Sequence, residues 1–215
     1  MLCKKRFLLI LDFEANCSGD KTRDHEICEF PVVLVDSVTG GDIVGELQFY
    51  VKAVHLSRIS PFIEKLTGIT DENIEGGISF EEALYNVESF LVARNLSAEN
   101  CQVVTCGDWD LKTMFPRQVQ LLGINPYSVS PTVMVLFQQW TNIKFVGIQA
   151  GLWTRKVNSM EAILRKLGLS LQGRAHCGLD DCRNIAQICK SLISQGIDPS
   201  IPAARRNYST KEHLR

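Results

Sequence analysis

The segment "LLILDFEANC", Leu8 to Cys17, ends an apolar run in two carboxylates, Asp12 and Glu14, separated by Phe13. Alternate side chains of a strand share a face, so the two carboxylates point the same way. Adjacent like charges at the end of a core strand are unfavourable unless something positive lies between them. Magnesium and manganese take oxygen ligands, and are commonly held by one or two carboxylates with water and substrate phosphate. The pair is therefore a half-site for a divalent ion or, in the plainer reading, an acidic strand end emerging into solvent.

Two further stretches offer partners. In "HCGLDDCRNIAQICKSLI" a helix starting near Gly178 has an apolar stripe of Ile185, Ile188 and Leu192. Counting back four residues places Asp181 on that stripe, whereas Asp180 falls with Asn184, Gln187 and Ser191 on the polar face. An inward-facing aspartate needs a partner of opposite charge. His176 lies on the loop entering this helix, close enough to share a site, although a capping or surface histidine is the more ordinary reading of the segment alone. In "TCGDWDLKTMF", Asp108 and Asp110 follow a short buried strand, which is where open α/β sheets place ligands. Helix-start aspartates are also common caps. Periodicity does not separate the two, since Asp110 shares a face with Met114 and Leu121, and Asp108 with Leu111 and Phe115.

The elements that must position these groups follow from pattern. Phe7 to Leu11 reads as a strand buried on both faces. "ICEFPVVLVDS" and "IVGELQFYVKA" form a hairpin around the paired glycines of "VTGGD", with Pro31 where no ladder hydrogen bond is needed. "SPFIEKLTGITDENI" gives a short helix stopped by Gly68 and a second short turn. Ser79 caps a longer helix with Phe80, Ala83, Leu84, Val87, Phe90 and Leu91 on one stripe. Cys101 to Cys106 is a buried strand leading into a helix that Pro116 kinks or breaks. Pro131 to Trp140 reads as helix and "NIKFV" as a fifth strand. "NSMEAILRKLG" and the stretch from Gly178 to Gln195 are the last two helices. The order fits an α/β sandwich around a mixed sheet, with one domain over residues 1–198 and a loose basic tail over 199–215.

Composition is that of an ordinary globular protein, with 45% hydrophobic and 22% charged residues. The net charge of −1 hides an asymmetry: residues 1–140 hold 11 Lys+Arg against 19 Asp+Glu, and residues 141–215 hold 12 against 5. Such a bias suits one side of a polyanion-binding cleft, or is unevenly shared solvation charge. The eight cysteines have no zinc-ligand spacing, which suggests free thiols in a reducing compartment. "KKRFLLIL" is too short in its apolar part for a signal peptide, and no segment approaches a membrane span. The expectation is an intracellular protein, cytoplasmic, nuclear or organellar, without membrane contact.

Taken together, D-x-E on the first strand, an Asp after the fourth and H-x-x-x-x-D at the last long helix resemble the DEDDh family of 3′-to-5′ exonucleases. "DFEANC", "HEICEFPVVLVD", "SPFIEKLTGIT", "VTCGDWDLK" and "GRAHCGLDDCRNIA" resemble, in order, its RNA-interference-enhanced exoribonuclease branch over about residues 6–195. "VTCGDWDLKTMFPRQVQLLGI" looks most like the prion-protein-interacting subgroup. Residues 145–157 ("FVGIQAGLWTRKV") fall outside the resemblance. It implies an RNase H-like fold, α/β, with a mixed five-stranded sheet flanked by helices. It also implies that Asp12, Glu14, Asp110 and Asp181 hold two Mg2+ (or Mn2+), and that His176 is the general base. Phe13, Ala15, Leu66, Thr67, Gly68 and Trp109 become candidate substrate contacts. The activity implied is removal of nucleotides from RNA 3′ ends, in single-stranded form, releasing 5′-monophosphates. A DEDDh DNA exonuclease and a catalytically idle domain that binds RNA or a protein partner are the competing readings.

Overall fold

The structure is a computed structural model describing residues 4–17, 25–201 and, in backbone outline, 204–205. Strand β1 (Phe7–Leu11) is continued after Asp12 and Phe13 by β2 (Glu14–Asn16), and β3 (Glu26–Asp36) and β4 (Asp42–Tyr50) form the hairpin. Helices α1 (Pro61–Thr67), α2 (Asp71–Glu75) and α3 (Phe80–Val92) precede β5 (Cys101–Thr105). A π-helical turn (Asp110–Met114) runs directly into α4 (Phe115–Leu122), followed by α5 (Pro126–Val129), α6 (Pro131–Phe137) and β6 (Gln139–Asn142). The chain then forms α7 (Ile143–Gln149), α8 (Met160–Lys166), α9 (Gly178–Ser194) and the short β7 (Ala204–Arg205).

The sheet is mixed. β3 pairs antiparallel with β4 on one side and with β1 and β2 on the other, while β1, β5 and β6 run parallel. Four of the five expected strands are β4, β3, β1 and β5, and β6 stands in the fifth place just ahead of the segment expected there; β2 prolongs β1, and β7 adds an antiparallel edge to β6. Leu9 and Leu11 enter a core with α3, α4 and α6, whereas Leu8 and Ile10 enter a second core with α8 and α9. Each of these buried aliphatic side chains contributes about 1.5–3 kcal/mol relative to exposure. The core residues therefore fix β1, and its acidic end goes where they put it.

Pro31 lies opposite Asp12 and Phe13, between the last β1–β3 pair, Leu11↔Val32, and the first β2–β3 pair, Glu14↔Glu29. A proline has no N–H for a ladder bond, and here the ladder is interrupted.

Two expectations change. The segment read as a helix to Trp140 and a strand "NIKFV" is a helix to Phe137, the strand β6 and then α7. The side-chain oxygen of Asn142 accepts the Lys144 N–H at 3.1 Å and starts α7 immediately after the strand. Ile143 and Val146, which mimic a strand run, are instead buried at helical spacing. The stretch outside the family resemblance, residues 145–157, covers α7 and a turn that buries Trp153, whose Nε1 donates to the Lys144 carbonyl at 2.9 Å.

Past residue 198 the chain remains anchored before it leaves the described residues. Asp198 accepts the Lys4 N–H, Ser200 accepts the Lys5 N–H, and Thr141 donates to the Ile201 carbonyl. The remainder of the expected tail, 202–203 and 206–215, lies outside the described residues. No helix among the described residues is long and apolar enough to cross a membrane.

Candidate active site

Phe13 and Ala15 turn into the core beside α3 and α4, so strand alternation aims Asp12 and Glu14 at the opposite face, towards α9. Gly178, the first residue of α9, allows that helix to close on the strand ends. A Cβ there would lie 2.8 Å from the Asp12 carbonyl oxygen and 2.9 Å from Pro31 Cγ. Any side chain at 178 would push the helix and its aspartates away.

Asp181 is buried on the inner stripe of α9 with Ile185, Ile188 and Leu192, as the spacing predicts. Its Oδ2 accepts the His176 N–H at 3.0 Å, while its buried Oδ1 has no hydrogen-bond partner. His176 has φ 62°, a left-handed conformation that a non-glycine residue adopts at a cost of order 1–3 kcal/mol where its surroundings impose it. Here the Asp181 carboxylate holds the backbone N–H of that residue, and the imidazole is left exposed. A ring nitrogen of His176 and carboxylate oxygens from Glu14 and Asp181 lie within 4.8 Å of one another.

The π-helical turn supplies the remaining carboxylate. Asp110 is buried and its Oδ1 accepts the Phe13 N–H at 2.9 Å, which brings it to the Asp12–Glu14 break. Asp108 is occupied otherwise: its Oδ1 accepts from Trp140 Nε1 at 3.0 Å and from Asn142 Nδ2 at 3.2 Å. The structure thus separates two aspartates that periodicity could not. Asp12, Glu14, Asp110, Asp181 and His176 converge.

The electrostatics of this centre are adverse without a cation. Burial, then Asp110, Glu14 and Asp181, raise the Asp12 carboxyl well above its ordinary range. Burial and then Glu29 push Glu14 up to about 9. Burial also pushes Asp181 up to about 7, against the His176 N–H that favours its charged form. Asp110 is raised to about 6 by burial, with the Phe13 N–H and the Lys144 ammonium opposing.

Two buried residues that support this centre are not legible in the sequence. Glu29, in the middle of the apolar β3 segment, is fully buried and reaches the start of α9. A charge inside a core strand was the available signal. Asn184, assigned to a polar face, is 0% exposed. Its amide accepts the Gln172 N–H and donates to the Gln172 carbonyl, fixing the loop that leads to His176. Nothing local distinguishes it from a solvated helix residue. Lys144, one of the basic residues of the last third, is a cation whose charge favours the ionised form of Asp110.

The candidate substrate contacts divide. Phe13 is 3% exposed and packs edge-on against Phe30, so its side chain is core, as is that of Ala15; only their backbone borders the site. Thr67 is buried too, and its hydroxyl donates to the Ile63 carbonyl and accepts the Ile69 N–H, so it shapes the turn instead of facing solvent. Leu66 is half-buried. Gly68 has φ 80°, and a Cβ there would meet the guanidinium of Arg174, which crosses from the His176 loop and donates to the Lys65 carbonyl. Trp109 is 42% exposed with the His25 ring edge-on at 6.2 Å. Of the basic residues in the last third, Arg183 pairs with Glu46 and Asp180, and Lys190 with Asp42. Part of that positive bias is spent on bracing α9 against β4.

Comparison with known proteins agrees with this geometry. A family model described as Exonuclease (RNase T) matches residues 9–189. Human ERI1 exoribonuclease 3 is 36% identical over 193 residues, covering 88% of this chain and 54% of the relative. The chain spans about half the length of the curated relatives it matches. Among solved structures, the nuclease domain of 3′hExo, a DEDDh family member bound to rAMP, is 29% identical with a TM-score of 0.84, covering 94% of this chain and 98% of that one. A 3′-exonuclease solved in 3′-end-specific recognition of a histone mRNA stem-loop is 30% identical with a TM-score of 0.81, covering 90% and 84%. The chain belongs to the RNase T exonuclease family.

Proposed function

We propose that this chain removes nucleotides one at a time from RNA 3′ ends by metal-dependent phosphodiester hydrolysis, releasing 5′-monophosphates. The observation that carries the reading is the convergence of Asp12, Glu14, Asp110 and Asp181, far apart in sequence, beside an exposed His176. RNA as substrate is supported by the exoribonuclease relatives and by the stem-loop bound to one structural neighbour.

The residues fit a divalent metal centre. The donors are hard oxygens, Asp181 Oδ1 is buried without a partner, and like charges raise the carboxyls together. Asp12, Glu14, Asp110 and Asp181 would hold two Mg2+ or Mn2+ ions. When bound, such ions supply positive charge to the scissile phosphate and its leaving oxygen, and make water more acidic. His176 accepts the proton of the attacking water, a role suited to an exposed imidazole with its backbone fixed by Asp181. Trp109, with His25 at its edge, offers a stacking surface for a base, worth about 1–3 kcal/mol, and Leu66 and Gly68 border the terminal nucleotide.

Purified protein incubated with 5′-labelled RNA and DNA of one sequence, with and without chelator, tests the reading. A metal-dependent ladder shortening RNA from its 3′ end is expected. Equal or preferred cleavage of DNA would make the chain a DNA exonuclease, and binding without cleavage would make it an idle RNA-binding domain.

The carboxyl shifts also dictate a pH dependence. A group whose pKa is higher folded than unfolded binds more protons in the native state, so stability falls as pH rises between the two values. For Asp110, Asp181 and Glu14 this window runs from the ordinary carboxylate range near pH 4 to about pH 9. The melting temperature of chelated protein should therefore fall between about pH 5.5 and about pH 8. The gain on adding Mg2+ should be larger at the higher pH, because ligands must be deprotonated to bind. Flat melting curves across this range in both conditions would contradict the carboxylate cluster.

A further inference from the structure

We infer that Glu29 is a positioning residue: it holds the first turn of α9, and through it Asp181 and the His176 loop, without itself ligating metal. The inference rests on the nuclease reading above. Glu29 is 1% exposed, and such a buried carboxylate beside four others should be disfavoured unless its charge is used. Its oxygens show the use. Oε2 accepts the Gly178 N–H at 3.1 Å, while Oε1 accepts the Leu179 N–H at 3.2 Å and Gln48 Nε2 at 2.9 Å.

The first N–H groups of a helix have no partner within the helix and carry partial positive charge. Most helices satisfy them with a neighbouring Ser, Thr, Asp or Asn. The residue at that position of α9, Cys177, makes no side-chain cap bond. Glu29 takes the role from β3, far away in sequence. Because Gly178 has no side chain, the carboxyl carbon can come close; a Cβ there would sit 3.2 Å from it. The same carboxylate thus ties the sheet to the helix start just ahead of Asp181, whose Oδ2 anchors the His176 backbone. A glutamine at 29 keeps the shape but offers one acceptor oxygen for two N–H donors. Its amide nitrogen would face the other donor.

The test compares wild type with Glu29→Gln and Glu29→Ala in three measurements: amide hydrogen exchange over residues 176–182 in metal-free protein, Mn2+ stoichiometry by titration, and kcat and KM on RNA. The inference predicts faster exchange in that segment, unchanged Mn2+ stoichiometry and a kcat lowered by about 10–100-fold, as for residues that orient ligands from behind, with KM little altered. Unchanged exchange, unchanged kcat, or loss of one Mn2+ per chain would overturn it, the last by making Glu29 a ligand. If Glu29→Ala does not fold, Gln48→Ala, which removes only the side-chain donor to Oε1 and leaves the Leu179 N–H in place, should speed the same exchange to a smaller degree; no change there also counts against the inference. If wild-type protein fails to cut RNA, the nuclease reading falls, while exchange and Mn2+ stoichiometry still decide what Glu29 does.

Discussion

Asp12→Asn is expected to lower turnover on RNA by a factor on the order of a thousand or more, and at the same time to raise the melting temperature of the metal-free protein. The loss follows from the role proposed for metal ions at this site, whose stabilisation of developing charge is worth several kcal/mol, with about 1.4 kcal/mol per tenfold in rate. The gain follows from the shifts: burial, Asp110, Glu14 and Asp181 all oppose the charge on Asp12, and an amide of the same shape removes that repulsion. Opposite signs in the two measurements set this substitution apart from general damage, which lowers both. Steady-state cleavage of labelled RNA and melting in chelator are the measurements. Activity within about tenfold of wild type would remove Asp12 from the metal centre.

Much of this centre can be read along the chain because it hangs on elements with clear periodicity. The apolar run of β1 and the stripe Ile185, Ile188 and Leu192 of α9 locate both elements, and counting by four from that stripe picks Asp181 over Asp180. The structure agrees: Asp181 is buried at the centre, and Asp180 pairs with Arg183 outside it. The choice between Asp108 and Asp110 is illegible locally for two physical reasons. The π-helical turn, in which the Phe115 N–H donates to the Asp110 carbonyl, breaks the period used for counting. The groups that occupy Asp108, Trp140 and Asn142, come from a strand far along the chain. Only the family resemblance favoured Asp110.

The same limit explains the residues that hold the centre from behind. Asn184 and Glu29 act across the fold, on Gln172 and on the helix start respectively, and pattern along one segment does not report bonds between segments. Nor does it say which side of a candidate contact is used. In "DFEA" and "LTG", Phe13, Ala15 and Thr67 direct their side chains into the protein. The misassigned strand at "NIKFV" has a related cause, since a run of apolar residues after a strand is ambiguous until the Asn142 cap is seen to start α7.

His176→Ala should lower kcat by about 10²–10⁴-fold, the usual contribution of a positioned general base, and leave Mn2+ stoichiometry and KM nearly unchanged. The geometry makes this a clean removal of the ring. Asp181 holds residue 176 through its backbone N–H, which alanine retains, and alanine meets the same left-handed φ of 62° without a new class of strain. The loop and the carboxylates therefore stay in place while the proton acceptor is lost. The imidazole is exposed, so the space it vacates is open to solutes, and free imidazole should restore part of the turnover of His176→Ala while leaving Asp12→Asn inactive. A variant that keeps wild-type kcat would exclude His176 as the base, and one that loses Mn2+ would show that the ring, within 4.8 Å of Glu14 and Asp181, serves as a ligand instead.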